Sequence, residues 1–115
     1  MPYIEGFIAA VPTANRDEYI ESASQSVEYF KKLGATSVVE CWGDDVPHGE
    51  VTDFYRATQA KDDETVVFSW IVYPDKETRD SANESMRADP DMANMEMPLD
   101  MKRMVFGGFE QVVGD

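Results

Sequence analysis

The chain has 115 residues, 43% of them hydrophobic, with 23 acidic and 10 basic side chains and a formal net charge of -13. That length fits one domain with a modest core, read here as residues 1–115, and the apolar content excludes a disordered chain. So acidic a surface repels nucleic-acid phosphates and anionic lipid; the longest basic runs are only Lys31-Lys32 and Lys102-Arg103, so neither nucleic acid nor membrane is an expected partner.

Tyr3–Val11 reads as a strand. It is apolar on both parities, with Tyr3, Phe7, Ala9 and Val11 on one and Ile4, Ile8 and Ala10 on the other. A strand apolar on both faces is covered on both. Pro12 stops it. Asn15 and Glu18 have capping-box spacing, and the helix that follows runs to about Leu33. Ile20, Ala23, Val27 and Phe30 form its expected apolar stripe. Asp17 and Glu18 in its first turn, and Lys31-Lys32 in its last, suit the helix dipole. Gly34 is the expected left-handed cap.

Thr36–Trp42 reads as a second strand and Gly43–Thr52 as a loop. Asp53–Ala60 is expected to be extended and Lys61–Glu64 a turn. Thr65–Tyr73 is the clearest strand, again apolar on both parities. Pro74-Asp75 ends it and caps a helix over Lys76–Ala88. Asp89-Pro90 ends that helix, and a Met-rich stretch containing Met92, Met95, Met97, Met101 and Met104 follows. Its sulfurs suit either a lid over an apolar pocket or the filling of gaps beneath a long loop, with gap-filling favoured. Lys102–Val113 is the expected last strand, with Gly107-Gly108 marking a bulge or bend.

Strand, helix, strand, strand, helix, strand is the ferredoxin-like βαββαβ order of an α+β domain, with two helices on one face of an antiparallel sheet. The other face of a lone chain would expose an apolar sheet, which soluble monomers rarely do. A second copy is the simplest cover, so a homodimer closing a dimeric α+β barrel is expected.

No chain segment approaches the roughly 20 apolar residues that span a bilayer. Met1–Val11 lacks a basic leader and Glu5 interrupts its apolar run. The single cysteine, Cys41, has no internal disulfide partner, and a reducing cytoplasm is the expected compartment. One histidine, His48, with Cys41 seven positions away offers little for a nucleophilic pair, and Cys41 is expected to pack as a small hydrophobe. There is no His or Cys cluster for a metal, no glycine motif for a phosphate-bearing cofactor, and no calcium-loop spacing among Asp44, Asp45, Glu50 and Asp53. Neither metal nor cofactor is expected.

Three blocks carry a family resemblance. One is Val39-Glu40-Cys41-Trp42 with Asp45-Val46-Pro47 and Val51-Thr52-Asp53-Phe54. A second is Glu64 to Trp70 with Tyr73-Pro74, Arg79-Asp80 and Ala82-Asn83. The third joins Asp89-Pro90, Met97-Pro98, Lys102-Arg103-Met104 and Gly107-Gly108-Phe109-Glu110. The chain resembles the YbaA-like family of bacterial proteins, a domain family of unknown function, over nearly its whole length. The resemblance implies the dimeric α+β barrel fold of small monooxygenase-like and muconolactone-isomerase-like domains, with a pocket between sheet and helices. It supplies no activity. His48 stands where the family pattern often carries Asp.

A dispersed polar and aromatic set lies on elements that should meet. Arg79 and Arg103 are candidates to hold an anionic substrate, and Glu40 and Asp53 are candidate bases. Trp42, Trp70 and Asn83 are candidate ligand contacts. The alternative for Glu40 opposite an Arg is a structural ion pair. The reading for function is a small protein that binds or transforms an apolar or aromatic molecule; its rival is a non-catalytic, homodimeric, stress- or metabolite-responsive module.

Overall fold

The computed structural model describes residues 1–114. Strand β1 (Tyr3–Pro12) leads through one tight turn, Thr13–Asn15, into helix α1 (Arg16–Lys32). Then come β2 (Ser37–Trp42), the short helix α2 (Phe54–Thr58), β3 (Glu64–Tyr73), α3 (Lys76–Ala88), α4 (Pro90–Ala93), a turn at Met101–Arg103, and β4 (Val105–Glu110). The strands form one antiparallel sheet in the order β2-β3-β1-β4, placing β3 and β1 at its centre. These are the two long strands that are apolar on both parities. No helix among the described residues is long and apolar enough to cross a membrane.

One face of the sheet is buried. Ala9 and Val11 of β1 and Val67 of β3 pack on Tyr19 and Ala23 of α1, with Leu99 and Met104 against them. Ile71 and Tyr73 pack on Ala82 of α3, with Phe30, Leu33 and Val38 around them. Each fully buried valine here contributes about 1.5–3 kcal/mol. Met104, half-buried, packs against this core, while Met95 and Met101 remain exposed.

The opposite face carries Ile4 and Ile8, then Phe68, Trp70 and Val72, then Val105 and Phe109, as the strand register dictates. Helix α2 lies at one corner of it, where the Phe54 ring meets Phe68 edge-on at 6.2 Å. The rest is an open apolar groove of about 730 Å³.

Local signals explain most boundaries. Gly34 adopts φ 110°, and the amides of Gly34 and Ala35 bond to the carbonyls of Lys31 and Phe30, closing α1. Asp75 caps α3 by accepting the Thr78 amide at 2.7 Å.

Four expectations change. Asn15 makes no side-chain cap bond, because the preceding tight turn delivers the chain into α1 instead. Tyr19 rather than Ile20 faces the core, and Ile20 is 44% exposed. Asp53–Ala60 is not extended: Asp53 caps α2 through the Arg56 amide at 2.8 Å, and Thr58 is fully buried. The last strand is Val105–Glu110 rather than Lys102–Val113. Asp100 accepts the Lys102 amide and the Arg103 Nε, and this local bonding holds those residues in a turn.

Candidate functional site

Glu40 on β2 lies directly across from Ser69 on β3, so both side chains rise from the buried face of the sheet. Tyr19 reaches them from α1. The Tyr19 hydroxyl and the Ser69 Oγ both donate to Glu40 Oε2, each at 2.5 Å. Tyr19 and Ser69 are buried. Burial, and then the bond to Glu40, push the Tyr19 phenol well above its ordinary pKa, so Tyr19 keeps its proton and serves as a fixed donor. Glu40 Oε1 has no protein donor among the described residues.

This carboxylate forms one wall of a cleft of about 230 Å³ between α1 and β2. Ile20, Ala23 and Val27 line its helix side and Trp42 its strand side. The Trp42 and Tyr19 rings lie 6.1 Å apart, tilted by 50°. The Arg16 guanidinium sits 5.7 Å from the centre of the Trp42 ring, a cation–π distance. The arrangement joins an apolar slot, an aromatic wall and one free carboxylate oxygen that can accept a hydrogen bond or a proton.

Arg79 and Asn83 lie elsewhere. From α3 both donate to Glu5 Oε1 on β1, Arg79 Nε at 3.2 Å and Asn83 Nδ2 at 3.3 Å. Arg79 also lies over the Tyr3 ring at 5.0 Å and pairs with Asp80 at 2.7 Å. Gly108 makes room for it, since a Cβ there would overlap Arg79 Nη2 and the Tyr3 ring. Glu5 pairs with Ile71, one row along the same face from the Glu40–Ser69 pair.

The other candidates are scattered. Arg103 is engaged by Glu64, Asp100 and the Gln59 carbonyl. The Asp53 carboxylate accepts the amides of Arg56 and Gly49 and lies 3.6 Å from His48 Nδ1. These backbone bonds, the Arg56 one foremost, lower its pKa. His48 stacks on Tyr55 at 4.3 Å, whereas Cys41 pairs with Phe68 across the strands. Trp70 sits on the open face, 5.6 Å from the Phe68 ring. The fold thus brings Glu40 and Trp42 to one cleft and Arg79 and Asn83 to one ion cluster, and leaves Asp53, Trp70 and Arg103 apart from both. Among the described residues no group of three or more His, Cys, Asp or Glu side chains is placed to hold a metal ion.

Sequence reasoning missed Tyr19, Ser69 and Glu5. Ser69 is the one polar residue between Val66 and Tyr73, and Glu5 the one charge between Tyr3 and Val11. A lone polar residue at a core parity was the signal, because such a group needs a partner.

The model of a family described as a protein of unknown function, DUF1428, matches residues 2–101. The chain is 50% identical over 117 residues to the uncharacterized protein YbaA of Escherichia coli K12, covering 100% of both chains. It is equally similar, at 50% identity over 100% of both chains, to the uncharacterized proteins YbaA of Escherichia coli O157:H7 and Shigella flexneri.

Proposed function

This chain belongs to the DUF1428 family of proteins of unknown function, and on that premise we propose that it is a cytoplasmic homodimer that binds a small molecule in the cleft between α1 and β2. The guest is an apolar or aromatic compound carrying one hydrogen-bond donor. Its ring or chain lies against Trp42, Ile20 and Val27, and its donor meets Glu40 Oε1. The observation that carries this reading is the Glu40 carboxylate itself. Tyr19 and Ser69 hold one of its oxygens from inside the core, its other oxygen has no protein donor among the described residues, and Glu40 lines an apolar cleft. A pocket of this kind, mostly apolar with few placed polar groups, is the usual form of a ligand site.

The sheet order and the apolar second face support a ferredoxin-like half-barrel completed by a second copy. In that assembly Phe68, Trp70 and Phe109 are buried against their equivalents. Nucleic acid and membrane are not partners on this reading, given the charge of -13.

A thermal-shift screen of aromatic and aliphatic acids, amines, phenols and quinones tests the cleft, because a ligand of the native state raises its stability by mass action. A compound that raises Tm for the wild type should lose its effect in Glu40→Gln and in Trp42→Ala and keep it in Lys31→Ala. A shift unchanged in Glu40→Gln, or no shift from any donor-bearing compound, overturns the reading. The rival, a homodimeric module with no turnover, draws support from Arg79 and Asn83, whose donors are spent on Glu5 rather than aimed into the cleft.

A further inference from the structure

The second polar cluster contains two atoms that the protein leaves without partners. Glu5 Oε1 is bonded to Arg79 and Asn83, but Glu5 Oε2 is sealed from solvent and has no hydrogen-bond partner among the described residues. The same holds for the hydroxyl of Tyr73, which is fully buried. The two residues are diagonal neighbours on one face of the β1–β3 ladder, since Glu5 faces Ile71 and Tyr3 faces Tyr73. Such diagonal positions lie roughly 7–8 Å apart at the backbone, within reach of long side chains.

One atom can only accept while the Glu5 carboxylate is ionised, and the other can donate. Buried oxygens of this kind are almost always bonded to protein or to an ordered water. From these two oxygens we infer that one internal water molecule bridges them, on the face of β1 and β3 that packs against α3. The water accepts the Tyr73 hydroxyl proton and donates one of its own to Glu5 Oε2. The carboxylate is then bonded at both oxygens beneath the Arg79 guanidinium. Charge supports the convergence: after burial, Glu5 raises the Tyr73 phenol and Arg79 opposes it, so both ions act on this hydroxyl. A buried water needs at least two polar partners, and these two atoms provide them. The site is separate from the Glu40 cleft and does not depend on the function proposed for it.

A crystal structure of the full chain, at a resolution that shows ordered water, tests the assignment. The expected result is a single water within about 2.6–3.2 Å of both Glu5 Oε2 and the Tyr73 oxygen. A direct Tyr73–Glu5 bond, or a dry space between them, overturns it. Tyr73→Phe adds a measurement of opposite sign for the two cases. Removing a bonded hydroxyl should lower Tm by a few degrees, whereas removing an orphaned one should leave it unchanged or raise it. A Tm that does not fall also overturns the assignment.

Discussion

The Arg103 guanidinium grips the Glu64 carboxylate at two points, Nη1 to Oε1 at 2.8 Å and Nη2 to Oε2 at 2.7 Å. Glu64 opens β3 and Arg103 closes the turn before β4, so the pair ties the end of the Met-rich segment to the sheet. Both side chains are largely buried, at 4% and 16% exposure. The bond to Arg103, with lesser help from the Lys61 amide, lowers the Glu64 pKa from 4.5 to about 2. A carboxyl whose folded pKa is depressed adds stability that is present above its unfolded pKa and lost as pH falls toward the folded one. The loss should therefore fall between pH 4.5 and about 2. Melting curves across that window should show a shallower acid decline in Glu64→Gln than in the wild type. Arg103→Ala, which strands the buried carboxylate, should cost about 3 kcal/mol in urea unfolding.

Tyr19→Phe removes one of the two donors on Glu40 Oε2 and nothing else of comparable size. A hydrogen bond to a charged group is worth about 1.5–3 kcal/mol, and chemical denaturation should register a loss of that order. The variant leaves Glu40 Oε2 held by Ser69 alone, so any compound that shifts the wild-type Tm should shift this variant less.

Phe68 is 49% exposed on the open face. If a second copy covers that face, Phe68→Glu places a buried, unpaired charge in the interface, which costs several kcal/mol. Light scattering should find a dimer for the wild type and a folded monomer, by circular dichroism, for the variant. A wild-type monomer at micromolar concentration refutes the assembly.

Gly108 is required by side chains rather than by backbone conformation. A Cβ there would overlap Arg79 Nη2 and approach the Tyr3 ring to 2.7 Å. Gly108→Ala should therefore push Arg79 off Glu5 and destabilise the fold by about 1–3 kcal/mol. Gly107, one residue earlier, has no atom nearer than 3.5 Å to such a Cβ, and the same change there should cost the single chain less.

Much of the architecture was legible in the residues. Apolar runs on both parities at Tyr3–Val11 and Thr65–Tyr73 mark strands, and their double-sided character is what makes cover on both faces of the sheet an expectation. Gly34 and Asp75 mark helix ends because their local chemistry suffices. The short helix α2 was not legible. Five residues are too few to be helical by propensity alone, and α2 exists because Asp53 caps it and Thr58 is buried.

The polar partnerships were not legible either. Glu40 and Trp42 were singled out by type, but nothing along the chain says that Tyr19, 21 positions away, and Ser69, 29 positions away, would meet Glu40. Nor does it say that Arg79 would meet Glu5 across 74 positions and Arg103 meet Glu64 across 39. A strand's own residues decide which side chains share a face, because alternation is a local property. Which strand lies alongside, and in what register, is decided only when the sheet assembles, since a slip of one residue would carry every side chain to the other face. By itself, then, the sequence determined the order of the four strands and the two long helices, the two central strands apolar on both parities, and the acidic composition. The tertiary structure decided that Glu40 meets Tyr19 and Ser69 beside an apolar cleft while Arg79 and Arg103 are spent on the protein's own carboxylates, because only the assembled sheet and the helices packed on it bring those groups within bonding distance.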